Sequence, residues 1–152
     1  MKQESGRSLI EVIGVLAITG LMTVSAMGIY RTIRANQVRT IAGEELEQIA
    51  SNTKLLMEMA GSYEGINVDY LIKAGALKSN KAPIGGDEWS VIASADGLSF
   101  SINLVDLSSG ECDFFSASKP KWASAILVNG FEAETADNCF DSGANQISFI
   151  VE

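Results

Sequence analysis

Leu9 to Tyr30 reads LIEVIGVLAITGLMTVSAMGIY, an apolar run whose single charge is Glu11. Roughly 22 residues rising about 1.5 Å each cover roughly 33 Å as a helix, the hydrocarbon thickness of a bilayer. The run therefore reads as a membrane-spanning helix. A cleaved secretory signal is the competing interpretation, since Lys2 and Arg7 precede the run and Ala26 and Gly28 imitate a small-residue cleavage site. Signal h-regions are shorter, however, and no proline or turn cluster follows this one. The segment reads as retained.

Working outward, Arg31 to Ala60 carries Arg31, Arg34, Arg39 and Lys54 against Glu44, Glu45, Glu47 and Glu58. Apolar or small residues recur every three or four positions at Ala35, Val38, Ala42, Leu46, Ile49, Thr53, Leu56 and Ala60. That spacing lines one face of a helix. The first helix is thus expected to run from Leu9 to Ala60, roughly 78 Å. Its second half presents one apolar stripe to a globular partner, whereas its first half is apolar all round.

The chain has 152 residues with 11 basic and 19 acidic side chains, a net charge of −8 and no histidine. Nucleic acid is not an expected partner, because phosphate binding needs concentrated Lys and Arg. Without histidine there is no imidazole base, Ser-His-Asp triad or His zinc ligand, and two cysteines do not complete a four-ligand zinc site. No spacing pairs a nucleophile with a base, so the chain is not expected to be an enzyme.

The run Gly6-Arg7-Ser8-Leu9-Ile10-Glu11-Val12 resembles the prepilin signature of type IV pilins and pseudopilins: glycine, a variable residue, a small hydroxyl residue, two aliphatics and glutamate. Gly14, Gly20 and Gly28 within the apolar run are similar to the family as well. Arg7 departs from it, standing where an apolar residue is usual. The resemblance implies that prepilin peptidase cuts between Gly6 and Arg7 and that the new amino terminus of Arg7 is methylated. Glu11 then becomes the fifth mature residue. It further implies a leader at 1–6, a filament-core helix at 7–30, its amphipathic continuation at 31–60 and a head at 61–152.

A carboxylate in hydrocarbon is costly, and ionisable residues in spanning segments are functional candidates. One account of Glu11 is that it reaches water at the membrane surface. The resemblance implies another: Glu11 meets the positive amino terminus of Arg7 in a neighbouring subunit, neutralising both charges and setting axial register. Lys2 and Arg7 precede the span but Arg31, Arg34 and Arg39 follow it, so the positive-inside rule alone points the N-terminus outward. Processing at Gly6 implies the reverse, with the N-terminus cytoplasmic, the head periplasmic and the assembled filament extracellular.

Gly61 and Ser62 read as a helix stop, and the head from Gly61 to Glu152 carries five lysines against 13 acidic residues. Asn67 is placed to cap a short helix, Val68 to Leu77, with Tyr70, Leu71 and Ala74 inward. Trp89 to Ala93 and Leu98 to Leu104 alternate at strand period across an Ala-Asp-Gly turn. Ser108-Ser109-Gly110-Glu111 has capping-box spacing and opens a helix bearing Cys112, Phe114 and Phe115. Ser124 to Val128 reads as a strand ending in the Asn129-Gly130 hairpin turn, and Gln146 to Val151 as the final strand. The fold class expected is α+β: a long N-terminal helix packed on a C-terminal antiparallel sheet with one disulfide.

Cys112 and Cys139 are expected to pair, because a domain outside the cytoplasm meets an oxidising compartment; two buried thiols are the other account. Closing about 27 residues contributes roughly 3 to 4 kcal/mol in the chain-entropy model. The layout of strand pair, cysteine-bearing segment, Asn-Gly strand, second cysteine and terminal strand also resembles pilins, in which the disulfide bounds a surface that touches neighbouring subunits. The strands look most like type IVb pilins and the short leader like type IVa.

Glu132, Glu134, Asp137, Asn138 and Asp141 form an acidic loop that binds calcium if the chain is a pseudopilin of type II secretion. EF-hand spacing is missing, and a solvated acidic loop is the commoner explanation for such residues. Otherwise no cofactor is expected. Trp89 and Trp122 read as core or subunit-contact residues. The functional expectation is a type IV pilus subunit whose partners are itself, other pilins, prepilin peptidase, the inner-membrane assembly platform and, before assembly, membrane lipid. The alternatives are the pseudopilin and a non-polymerising single-span protein that binds a periplasmic ligand.

Overall fold

A computed structural model describes residues 4–86, 88–133 and 138–152, with side chains from residue 8 onward. The first helix, α1, runs from Glu4 to Glu58, starting earlier and ending two residues sooner than the apolar pattern predicts. By its contacts the chain divides into two compact units, Met1–Gln37 and Val38–Glu152.

The first unit is helical over its described length. Every side chain from Ser8 to Gln37 is exposed, Ile10 and Val24 at 73% each, so this unit buries no core of its own. Its hydroxyls close onto the helix: Thr19 donates to the Val15 carbonyl at 2.7 Å, Thr23 to Thr19 at 2.8 Å, Ser25 to Leu21 at 2.9 Å and Thr32 to Gly28 at 3.2 Å. Such bonds satisfy the hydroxyl donors on the helix itself.

In the second unit α1 continues from Val38 and buries Ala42, Leu46, Ile49, Ala50, Thr53 and Met57. Ala35 and Ala60, the two ends of the predicted stripe, are exposed. The helix ends on Gly61, whose φ of 72° lets its N–H donate to the Met57 carbonyl at 2.9 Å. Asn67 caps α2, Val68–Lys73, accepting from the Tyr70 N–H at 2.9 Å. This helix is shorter than expected, and of its three predicted inward residues only Leu71 is buried. Gly75, at φ 79°, lies just beyond its end.

The sheet consists of β1 (Ser90–Ala93), β2 (Phe100–Leu107), β3 (Ala125–Val128), β4 (Phe131–Glu132) and β5 (Asn145–Val151). Among the described residues its order is β1-β2-β5-β3-β4, with every pairing antiparallel. The last strand therefore sits in the middle. Ile102 pairs with Phe149 and Leu104 with Ile147 on one side of β5, Ile126 with Phe149 and Val128 with Ile147 on the other. Alternate β5 residues Asn145, Ile147, Phe149 and Val151 are buried. These share one core with Leu46, Ile49 and Met57 of α1. Tyr63 packs on Phe100 at 4.8 Å between ring centres, and Trp122 on Phe149 at 5.3 Å.

Between β1 and β2, Asp96 accepts from Ser94 Oγ and from the Leu98 N–H at 3.1 Å. Gly97 accepts from the Tyr63 N–H at 2.8 Å. A Cβ at Gly97 would meet Ser62 Oγ, and its φ of 67° is one that only glycine holds at little cost. Leu98, expected to begin a strand, is 70% exposed because this turn occupies it. Asn129 and Gly130 have φ values of 51° and 88°, the left-handed pair that a two-residue hairpin between Val128 and Phe131 requires.

Candidate functional site

Glu11 lies exposed on α1 within the first unit. From Val12 to Gly43 the sequence contains no acidic residue, and no ion pair to Glu11 occurs among the described residues. Gly6 and Arg7 belong to the same helix, which passes through the expected cut; their side chains lie outside those described. The carboxylate is thus the one charge within the apolar run from Leu9 to Tyr30.

In the head, Ser108 and Glu111 form the capping box expected of them. Ser108 Oγ accepts from the Glu111 N–H at 3.4 Å, and the Ser108 N–H donates to Glu111 Oε2 at 2.8 Å. They open α3, Ser109–Ala117. The helix carries Cys112, fully buried, into a disulfide with Cys139, the two Cα atoms 5.9 Å apart. The disulfide joins α3 to the loop that leads into β5, so the cross-link closes over β3 and β4.

Asn145, which sequence reasoning passed over, holds the same loop from below. It is fully buried. Its Oδ1 accepts from Asn129 Nδ2 at 3.0 Å and from the Phe140 N–H at 2.6 Å, and its Nδ2 donates to the carbonyls of Leu107 at 3.2 Å and Phe140 at 3.0 Å. Asn129 also donates to the Asn138 carbonyl at 2.7 Å and accepts from the Gln146 N–H at 2.9 Å. The available signal was an Asn at a strand start, between Ala144 and Gln146, and it does not distinguish a buried carboxamide from a solvated one.

Three phenylalanines in or beside the cross-linked segment stay exposed: Phe114 at 40%, Phe131 at 69% and Phe140 at 56%. Arg39 of α1 lies over the Phe114 ring, Cζ 5.7 Å from its centre, a cation–π arrangement. Trp89 is buried and Trp122 packs on the core.

Of the acidic loop, Glu134 and Asp137 lie outside the described residues. Asn138 Nδ2 donates to the Glu132 carbonyl at 3.3 Å. Among the described residues no group of three or more Asp, Glu, Cys or His is placed to hold a metal ion. Two titrating groups are shifted: burial, then Glu58, raises the Tyr63 phenol, and hydrogen bonds from Ser94, then Leu98, lower the Asp96 carboxyl.

No protein-family model and no curated protein sequence matches the chain. Among solved structures it is similar to TcpA, a type IV pilin from Vibrio cholerae El Tor biotype, at a TM-score of 0.60 and 14% identity over 76% of this chain and 99% of that one. A type IVb pilin from Salmonella typhi matches at a TM-score of 0.48 and 23% identity over 70% and 94%. The fold is that of type IV pilins, and the first of these structures carries that assignment.

Proposed function

We propose that the chain is a structural subunit of a type IV pilus. Prepilin peptidase cuts it after Gly6, Arg7 becomes the methylated amino terminus, and the helix from Leu9 to Tyr30 passes from lipid into a bundle of identical helices. Before assembly the N-terminus is cytoplasmic and the head periplasmic, and the inner-membrane assembly platform then draws the subunit into an extracellular filament. The work is mechanical and needs no catalysis by this chain.

The observation that carries this reading is the coexistence of the pilin fold with an apolar helix exposed on every side and marked by one carboxylate. Glu11 pairs with the Arg7 amino terminus of a neighbour. Left unpaired in hydrocarbon, either charge costs several kcal/mol, so a subunit out of register is rejected. The test is mass spectrometry of sheared surface fibres, expected to return a chain that starts at N-methylated Arg7. Intact chain beginning at Met1, with no fibres, would overturn the proposal. Glu11→Ala is expected to insert normally and to abolish most filaments.

A further inference from the structure

The geometry points to a phosphate-binding site for anionic phospholipid at the end of the apolar run, formed by Arg31 and Arg34 with Tyr30. This rests on the proposal that the run spans a bilayer and adds to it a lipid class and the residues that hold it. Arg31 and Arg34 stand three apart, hence on neighbouring positions of one helix face, and both are exposed. They are the first charges after Glu11, in a stretch from Val12 to Gly43 that holds three arginines and no acid although the whole chain carries −8. No ion pair to either occurs among the described residues.

Their side chains turn back along the helix toward the apolar run. Arg34 Nη1 donates to the Tyr30 hydroxyl at 3.3 Å, and Arg31 Nη2 reaches the Met27 sulfur at 4.0 Å. With Leu9 to Tyr30 across the hydrocarbon, both guanidinium groups and the phenol fall at the level of the headgroups. Tyrosine belts and snorkelling arginines occupy that layer. A planar guanidinium binds phosphate oxygens through two parallel hydrogen bonds, which a choline headgroup shields and a glycerol headgroup leaves open. The excess of basic residues after the span, which contradicts the charge rule for orientation, thereby acquires a role: it fastens the stored subunit to the far leaflet.

The test uses the full chain reconstituted in vesicles of phosphatidylcholine and phosphatidylglycerol at four to one, with bound lipid identified by native mass spectrometry. Each arginine near an anionic surface contributes about 1 kcal/mol, so phosphatidylglycerol should be enriched by about fivefold per arginine. Arg31→Gln with Arg34→Gln should remove the enrichment. The corresponding double lysine variant, keeping charge without the fork, should retain part of it. Added inorganic phosphate at millimolar concentration should not displace the lipid; displacement would assign the site to free phosphate and overturn the lipid claim. Equal binding of both lipids, or unchanged enrichment in the glutamine variant, also overturns it, as does loss of filaments with lipid preference intact, which assigns the arginines to a second copy. Resistance to alkaline extraction from pure phosphatidylcholine vesicles reads the spanning proposal separately.

Discussion

The Asn129 side chain donates to the Asn145 carboxamide at 3.0 Å, joining the β3–β4 turn to the first residue of the central strand. Asn145 uses both its donors and both acceptor positions on this turn, on the Phe140 backbone and on the Leu107 carbonyl. The loop that carries Cys139 is thus held by a covalent bond at one point and a saturated polar node at the next.

Asn145→Ala should therefore destabilise the head by about 3 kcal/mol, since a buried Leu107 carbonyl and Phe140 N–H lose their partner. Urea unfolding of the full chain in detergent, followed by near-ultraviolet circular dichroism, measures the loss. A change under about 1 kcal/mol would show that water replaces the carboxamide.

Replacing Cys112 and Cys139 together by serine should lower the stability by roughly 3 to 4 kcal/mol, the loop-closure value for a separation of 27 residues. The secondary structure should survive in the circular dichroism spectrum, because β5 pairs with β2 and β3 independently of the disulfide.

Thr53 is fully buried on α1 and, among the described residues, its hydroxyl has no hydrogen-bond partner. Thr53→Val keeps the shape and removes the desolvated oxygen, so the midpoint of urea unfolding should stay the same or rise by about 1 kcal/mol equivalent. Leu46→Ala, two turns back on the same buried face of α1, should lower it by about 3 kcal/mol. The two substitutions separate packing from polarity on one helix.

The Asp96 carboxyl is lowered from its ordinary value of 3.8, by Ser94 first and the Leu98 N–H second. Its contribution is present above that value and disappears as pH falls through the lower folded value. Asp96→Asn should accordingly be less stable than wild type at pH 5, with the gap closing toward pH 2. The Tyr63 phenol is raised from 10.0 by burial and by Glu58, so its contribution is complete below pH 10 and is lost above it. Tyr63→Phe should flatten that alkaline limb. Thermal melts across the two pH ranges read both effects.

How much of this was legible depended on the range of the interactions. Local rules predicted the Ser108–Glu111 box, the Asn67 cap and the Asn129-Gly130 turn, because each is complete within four residues. They misplaced Tyr70 and Ala74, which share helical spacing with the buried Leu71 but are exposed.

The apolar run, its lone Glu11, the amphipathic stripe and the cysteine pair were determined by the sequence alone, since hydrophobic periodicity and charge isolation are properties of the chain and need no fold to be present. Tertiary structure alone decided that the last strand takes the centre of the sheet, that Asn145 is saturated rather than solvated, and that Phe114, Phe131 and Phe140 face outward. Those outcomes depend on which distant segments meet, and strand order is chosen by the sum of packing across the whole head, a quantity no short stretch of residues contains.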